Sequence, residues 1–215
     1  SLLNDVSGSI DNNEFNLVRN AYVNVFSSPT FYNGVVGAGN SIAVNYIEWS
    51  GANQQNQVVG WTVINSQASA NAFAALVGAA PRSFSGQTAP GSAINFAYPL
   101  IFNNNINSTR QVIDVSGDGT ANEGANTAAA RDAAIAAGVD QINGLAIGGA
   151  AIEAWYNANV RSANGLVLPA ATFAAFEDAL RRKIQIEVQG VPLPTAAGMG
   201  MLGMGLLTFR RRRSA

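Results

Sequence analysis

Five carboxylate or hydroxyl side chains crowd into residues 4–15, "NDVSGSIDNNEF": Asp5, Ser7, Ser9, Asp11 and Glu14. Carboxylates and hydroxyls at alternate positions can shape a turn and start a helix, or they can hold a cation. Asp11 followed by Glu14 three residues on is a capping-box pattern, which assigns that pair to a helix start. Asp5, Ser7 and Ser9 are left for other chemistry. Two further polar clusters are of the same kind, Gly86-Gln87-Thr88 and Ser116-Gly117-Asp118-Gly119-Thr120. Asp5, Ser7, Ser9, Thr88 and Asp118 together offer two carboxylates and three hydroxyls. These are hard oxygen donors, and a set with so few carboxylates suits Mg²⁺, which keeps several waters, better than a Ca²⁺ cage.

Composition narrows the alternatives. The sequence contains neither cysteine nor histidine. That excludes disulfides, thiolate metal sites and any triad built on histidine. With 48% hydrophobic and 12% charged residues, the 215-residue chain can bury a sizeable core. Four of its 12 basic residues are Arg210–Arg213, so the rest of the chain is acidic against 13 carboxylates. An acidic body argues against nucleic acid as a partner.

The elements that must position the polar clusters follow from periodicity. Phe15, Val18, Tyr22 and Val25 recur at helical spacing and predict a helix over 11–28, ended near Pro29. Segments 41–50 and 57–64 are rich in β-branched and aromatic residues and predict strands. Their short connection makes one of them an antiparallel edge strand. Helices are expected over 67–79, 89–102 with a kink near Pro99, 123–137 closed by Gly138, 150–158, and 170–183. Strands are expected over 110–117, 141–149 and, last, 183–188 ("KIQIEV"), with a brief first strand ahead of Asp5. Alternating strands and helices define an α/β fold, a doubly wound and mainly parallel sheet flanked by helices. Ligands bind such sheets beyond the carboxyl ends of strands, where all three polar clusters fall. Trp49, Trp61 and Trp155 are expected to pack in the core or on strand faces. Asp114 falls mid-strand and has no assigned role.

Asp5, Ser7 and Ser9 match the DxSxS motif of von Willebrand factor A domains; Thr88 matches the single threonine and Asp118, in "VIDVSGDG", the second aspartate of their metal-ion-dependent adhesion site. The runs "AVNYIEWSG", "GWTVI", "RDAAIAAGV", "INGLAI" and "RRKIQIEV" resemble an uncharacterised bacterial branch of that superfamily. The resemblance spans nearly all of residues 1–189 and implies the Rossmann-like fold of the family. It also implies Mg²⁺ or Mn²⁺ held by the serines and Thr88 directly and by the aspartates directly or through water. A protein partner would supply a carboxylate to the last coordination position. Two lookalikes fail. An EF-hand loop from Asp5 needs glycine sixth and glutamate twelfth, where Ile10 and Asn16 stand. "DVSGDGT" looks like an aspartyl phosphatase signature, but Asp114 and Asp118 are too far apart in sequence for that chemistry. No nucleophile–base pair is visible, and no enzymatic activity is expected.

Residues 190–215 form a second unit. Val191-Pro192-Leu193-Pro194 is a stiff break, and Thr195 to Phe209 carries no charge before Arg210–Arg213. As a helix, this apolar run would span roughly 22 Å of a ~30 Å hydrocarbon core. The order of motif, apolar segment and arginine cluster resembles the VPLPA-type variant of PEP-CTERM sorting signals, with Thr195 in place of the usual alanine. That resemblance implies transient membrane anchoring, an exosortase-like processing enzyme, and export from a Gram-negative cell. Ser1 is not an initiator methionine, so a signal peptide is expected to have been removed or omitted. The expected function is an exported, metal-dependent adhesion or protein-binding module. The alternative is a structural component of an extracellular matrix or filament in which the metal site is incidental. A hydrolase of surface polymers is disfavoured by the missing histidine.

Overall fold

The computed structural model describes residues 1–37 and 39–189. Six strands form one sheet: β1 (Leu2–Asp5), β2 (Ile42–Trp49), β3 (Gln55–Ile64), β4 (Val112–Gly117), β5 (Gln141–Ile147) and β6 (Val167–Ala170). Seven helices flank it: α1 (Asn12–Ser27), the single turn α2 (Pro29–Phe31), α3 (Gln67–Ala79), α4 (Pro90–Phe102), α5 (Thr127–Ala136), α6 (Ala150–Asn159) and α7 (Phe176–Gln189). The strand order is β3-β2-β1-β4-β5-β6. All neighbours run parallel except β2 and β3, so β3 is the expected antiparallel edge strand.

Alternation along each strand sends side chains to two separate apolar layers. Leu2, Tyr46, Leu145 and Ile147 pack on Tyr22 and Phe26 of α1, Phe73 of α3 and Leu180 of α7. Leu3, Ile47, Trp49, Val115 and Ile142 pack on Ile94 of α4, Ala134 of α5 and Tyr156 of α6. β1 has only four residues, yet all are buried and it lies between β2 and β4 at the centre of the sheet. Its carboxyl end therefore opens where the strand order reverses, the place at which such folds bind ligands. Trp49 is fully buried, while Trp61 and Trp155 lie half-buried against the second layer.

Two expected elements are corrected. The segment 183–188 is helical, forming the second half of α7 rather than a last strand. Its alternation of Ile and polar residues fits a strand locally. The buried set Phe176, Ala179, Leu180, Lys183 and Ile184 instead has helical spacing and continues from the preceding turn. The sixth strand is "VLPA", where no strand is expected and whose Ala170 falls in the expected helix 170–183; it carries Pro169 at the edge of the sheet, where a missing N–H is tolerated. The helix expected over 170–183 accordingly starts later, at Phe176. Pro99 lies within α4 as anticipated, and Gly138 takes φ 112° after α5. Among the described residues no helix is long and apolar enough to cross a membrane. The apolar segment Thr195–Phe209, the expected C-terminal helix and the boundary at 190 lie outside the described residues.

Candidate metal centre

Three loops meet beyond the carboxyl ends of β1 and β4. The first leaves β1 at Asp5 and reaches α1. Asp11 caps that helix: its side chain accepts from the backbone of Asn13 and Glu14, and Glu14 Oε2 accepts from Asp11 N at 2.9 Å. This pair is therefore committed to the helix start. The second loop precedes α4 and carries Thr88. The third leaves β4 and carries Asp118.

Asp5, Ser7, Ser9 and Asp118 form one continuous polar chain. Ser7 N donates to Asp5 Oδ1 at 2.7 Å, Ser7 and Ser9 hydroxyls stand 3.3 Å apart, and Ser9 Oγ donates to Asp118 Oδ1 at 2.9 Å. The Thr88 loop is tied in through its backbone. Gly8 N donates to Gly86 O at 2.8 Å, and Thr88 exchanges two hydrogen bonds with Asn122, from Thr88 N to Asn122 Oδ1 and from Asn122 N to Thr88 O. A Cβ on Gly119 would come within 3.7 Å of Thr88 Oγ1, which places that hydroxyl beside the loop of Asp118. Four of the five residues expected from sequence are thus joined by hydrogen bonds, and Thr88 stands beside the loop that carries the fourth, Asp118.

Burial grades across this region. Asp5 and Ser7 are 1% and 0% exposed, whereas Ser9 is open to solvent. Burial pushes the Asp5 carboxyl up to about 7, against the hydrogen bonds from Ser7; the nearby Asp118 raises it further. Burial also raises Asp118, opposed by the hydrogen bond from Ser9. Asp5 Oδ2 is buried and has no hydrogen-bond partner among the described residues. A fully buried carboxyl group with an orphaned oxygen, near a second, half-buried carboxyl group, is relieved by a cation. The donor set fits Mg²⁺ or Mn²⁺: hydroxyls and carboxylates only, with an exposed side from which water or a ligand oxygen could complete the shell.

Three supporting residues had no sequence signal. Arg82 reaches from the loop before α4, donating through Nη2 to Val6 O at 2.9 Å and Ser7 O at 2.8 Å, and through Nε to Phe84 O. It fixes the backbone of the Asp5–Ser9 loop. Gly117 admits no side chain, since a Cβ would stand 2.5 Å from Tyr156 Oη and 2.7 Å from Asp5 Oδ2. The Tyr156 hydroxyl and Asp5 Oδ2 thus both close over the Cα of Gly117.

This fold, with serine, threonine and aspartate loops at the head of a central parallel strand, is that of a von Willebrand factor A domain. The chain belongs to the family described as Protein of unknown function (DUF1194), whose model matches residues 1–192. Among solved structures it is similar to proximal thread matrix protein 1 of the mussel byssus, with 16% identity and a TM-score of 0.67 over 87% of this chain and 46% of that one. Another crystal structure of that matrix protein, with a TM-score of 0.64 and 16% identity over 87% of this chain and 44% of that one, has a zinc-occupied MIDAS motif. The pilus adhesin SpaC of Lactobacillus rhamnosus GG matches with 14% identity and a TM-score of 0.65 over 88% of this chain and 30% of that one. The SpRpn10 VWA domain matches at 16% identity and a TM-score of 0.59 over 89% of this chain and 97% of that one. The chain thus spans less than half of the matrix protein and of the adhesin. At these identities the likeness shows the fold. No curated protein sequence matches the chain.

Proposed function

We propose that this chain is a divalent-cation-dependent protein-binding module that acts outside the cytoplasm. Asp5, Ser7, Ser9, Thr88 and Asp118 hold Mg²⁺ or Mn²⁺, and a partner protein supplies a carboxylate oxygen to the cation. The observation that carries this reading is the orphaned, buried Asp5 Oδ2 at one end of the Asp5–Ser7–Ser9–Asp118 chain, whose other end is open to solvent. The cation supplies the positive charge that lets both aspartates ionise and that attracts an acidic ligand; the protein's residues fix its place and leave one side accessible. No catalytic step is part of the proposal. The adhesin and matrix-protein neighbours support extracellular adhesion, and the matrix protein also supports the second reading, a structural component of a matrix or filament.

In this proposal residues 190–215 are the VPLPA-type sorting signal, which anchors the chain transiently and is removed by an exosortase-like enzyme of a Gram-negative host. Protein recovered from the cell exterior should then lack Arg210–Arg213 by intact mass, and a mass that retains them refutes the signal. For the module itself, the test is capture of surface proteins by immobilised residues 1–189 in Mg²⁺ and in chelator. Captured partners should elute with chelator and fail to bind Asp118→Ala. Binding that ignores both changes contradicts metal dependence, and metal-free self-assembly of the domain into filaments favours the second reading.

A further inference from the structure

A second buried ionic cluster lies in the middle of β4, away from the metal centre. Asp114, Lys183 and Glu187 have side chains 2%, 0% and 9% exposed, in the apolar layer that holds Leu2, Tyr22, Leu180 and Ile184. Lys183 Nζ donates to Glu187 Oε1 at 2.6 Å, and the same oxygen accepts from Asn143 Nδ2 at 2.7 Å. Asn143 is the β5 neighbour of Asp114 in register. Lys183 Nζ also closes on Asp114 Oδ1. Yet neither Asp114 oxygen takes part in a hydrogen bond among the described residues.

That combination is unlike an ordinary buried ion pair, which survives by hydrogen-bonding both partners. Here the amine nitrogen meets the carboxyl group outside hydrogen-bond geometry, with a second buried acid in contact with the same nitrogen. An amine fixed against a carboxyl group, shielded from water and served by a proton carrier, has what amide condensation requires. We propose that Lys183 and Asp114 condense into an intramolecular isopeptide bond, with Glu187 relaying the protons. The new bond joins Nζ to Asp114 Cγ, and one Cγ–O bond breaks. Two of the three ammonium protons leave with that oxygen as water, and the third stays as the amide N–H. No oxidant or cofactor is consumed.

The electrostatics agree with this starting state. Burial opposes the Lys183 ammonium, while Asp114 and Glu187 sustain it; burial raises the Glu187 carboxyl and suits it to carry a proton. Condensation removes two charges from an apolar layer. The product ties α7, the last described helix, to a central strand in a chain that has no cysteine for a disulfide.

The test is mass spectrometry of the full chain, folded and then denatured. The expected intact mass is one water below that of the sequence. Trypsin should then yield a branched peptide joining residues 111–131 to residues 183–210, because acylated Lys183 resists cleavage. Glu187→Gln should fold with the full mass of its sequence and release residues 111–131 and 184–210 as separate linear peptides, and Lys183→Met should release residues 111–131 and 183–210 unlinked. The bond is overturned by wild-type protein of full mass with unlinked peptides, or by water loss without the branched peptide. Cross-linking of Glu187→Gln to the wild-type extent overturns the relay. None of these readings involves the metal centre, so the two proposals stand or fall separately.

Discussion

Replacing Asp5 by asparagine should stabilise the metal-free protein while abolishing its response to Mg²⁺. Asp5 is 1% exposed, and burial moves its carboxyl from 3.8 to about 7. At about 1.36 kcal/mol per pKa unit, a shift of this size makes ionised Asp5 cost the metal-free fold on the order of 4 kcal/mol. A carboxyl raised in the folded state favours folding while it is protonated. Its contribution is complete below about pH 4 and is lost as pH rises through about 7. Wild-type protein in chelator should therefore lose stability across that window, and Asp5→Asn should lack this loss. Asparagine keeps the oxygen that accepts from Ser7 N and replaces the orphaned Oδ2 by an uncharged amide nitrogen. The assay is urea unfolding followed by tryptophan fluorescence, at pH 5 and pH 8, in chelator and in Mg²⁺. At pH 8 in chelator the variant should exceed the wild type by several kcal/mol, and Mg²⁺ at a hundredfold excess over Kd should return about 2.7 kcal/mol to the wild type only. Parallel pH profiles for the two proteins in chelator, or equal Mg²⁺ effects, would refute the reasoning.

Gly117→Ala forces a methyl group to within 2.5 Å of Tyr156 Oη and 2.7 Å of Asp5 Oδ2, and should cost about 1–3 kcal/mol in urea while weakening Mg²⁺ binding by calorimetry. Arg82→Met removes the ties on Val6 O and Ser7 O; calorimetric Mg²⁺ affinity should fall by about tenfold or more, with a stability loss of about 1–3 kcal/mol. Asp11→Ala removes a helix cap and should cost about 1 kcal/mol with Mg²⁺ affinity unchanged, which separates capping from ligation within one loop.

The site was more legible than parts of the fold that carries it. Asp5, Ser7, Ser9, Thr88 and Asp118 stood out as candidates because Asp5, Ser7 and Ser9 are spaced in the DxSxS pattern at the end of β1, Asp118 leaves β4 and Thr88 precedes α4. The capping box at Asp11 and Glu14 was equally plain, since it depends on residues three apart. What failed depended on longer range. "KIQIEV" alternates like a strand, and only its continuation from Phe176, Ala179 and Leu180 onto the α1 side of the sheet makes it helical. "VLPA" is too short and carries a proline, so pairing with β5 alone makes it a strand. Arg82 acts through backbone carbonyls far from it in sequence, which no motif records. Asp114 and Lys183 look unremarkable in sequence and meet only because α7 packs on the sheet. The adhesion-site reading therefore rests on local chemistry, whereas the cluster around Lys183 required the tertiary structure.

The claim that Asp5, Ser7, Ser9, Thr88 and Asp118 hold a divalent cation is tested most directly by anomalous diffraction from crystals of residues 1–189 grown with Mn²⁺. A single manganese peak should lie among the hydroxyls of Ser7, Ser9 and Thr88, within direct or water-mediated reach of Asp5 and Asp118, and should vanish in Asp118→Ala. Manganese bound elsewhere, or no peak in well-ordered crystals at millimolar Mn²⁺, contradicts the account.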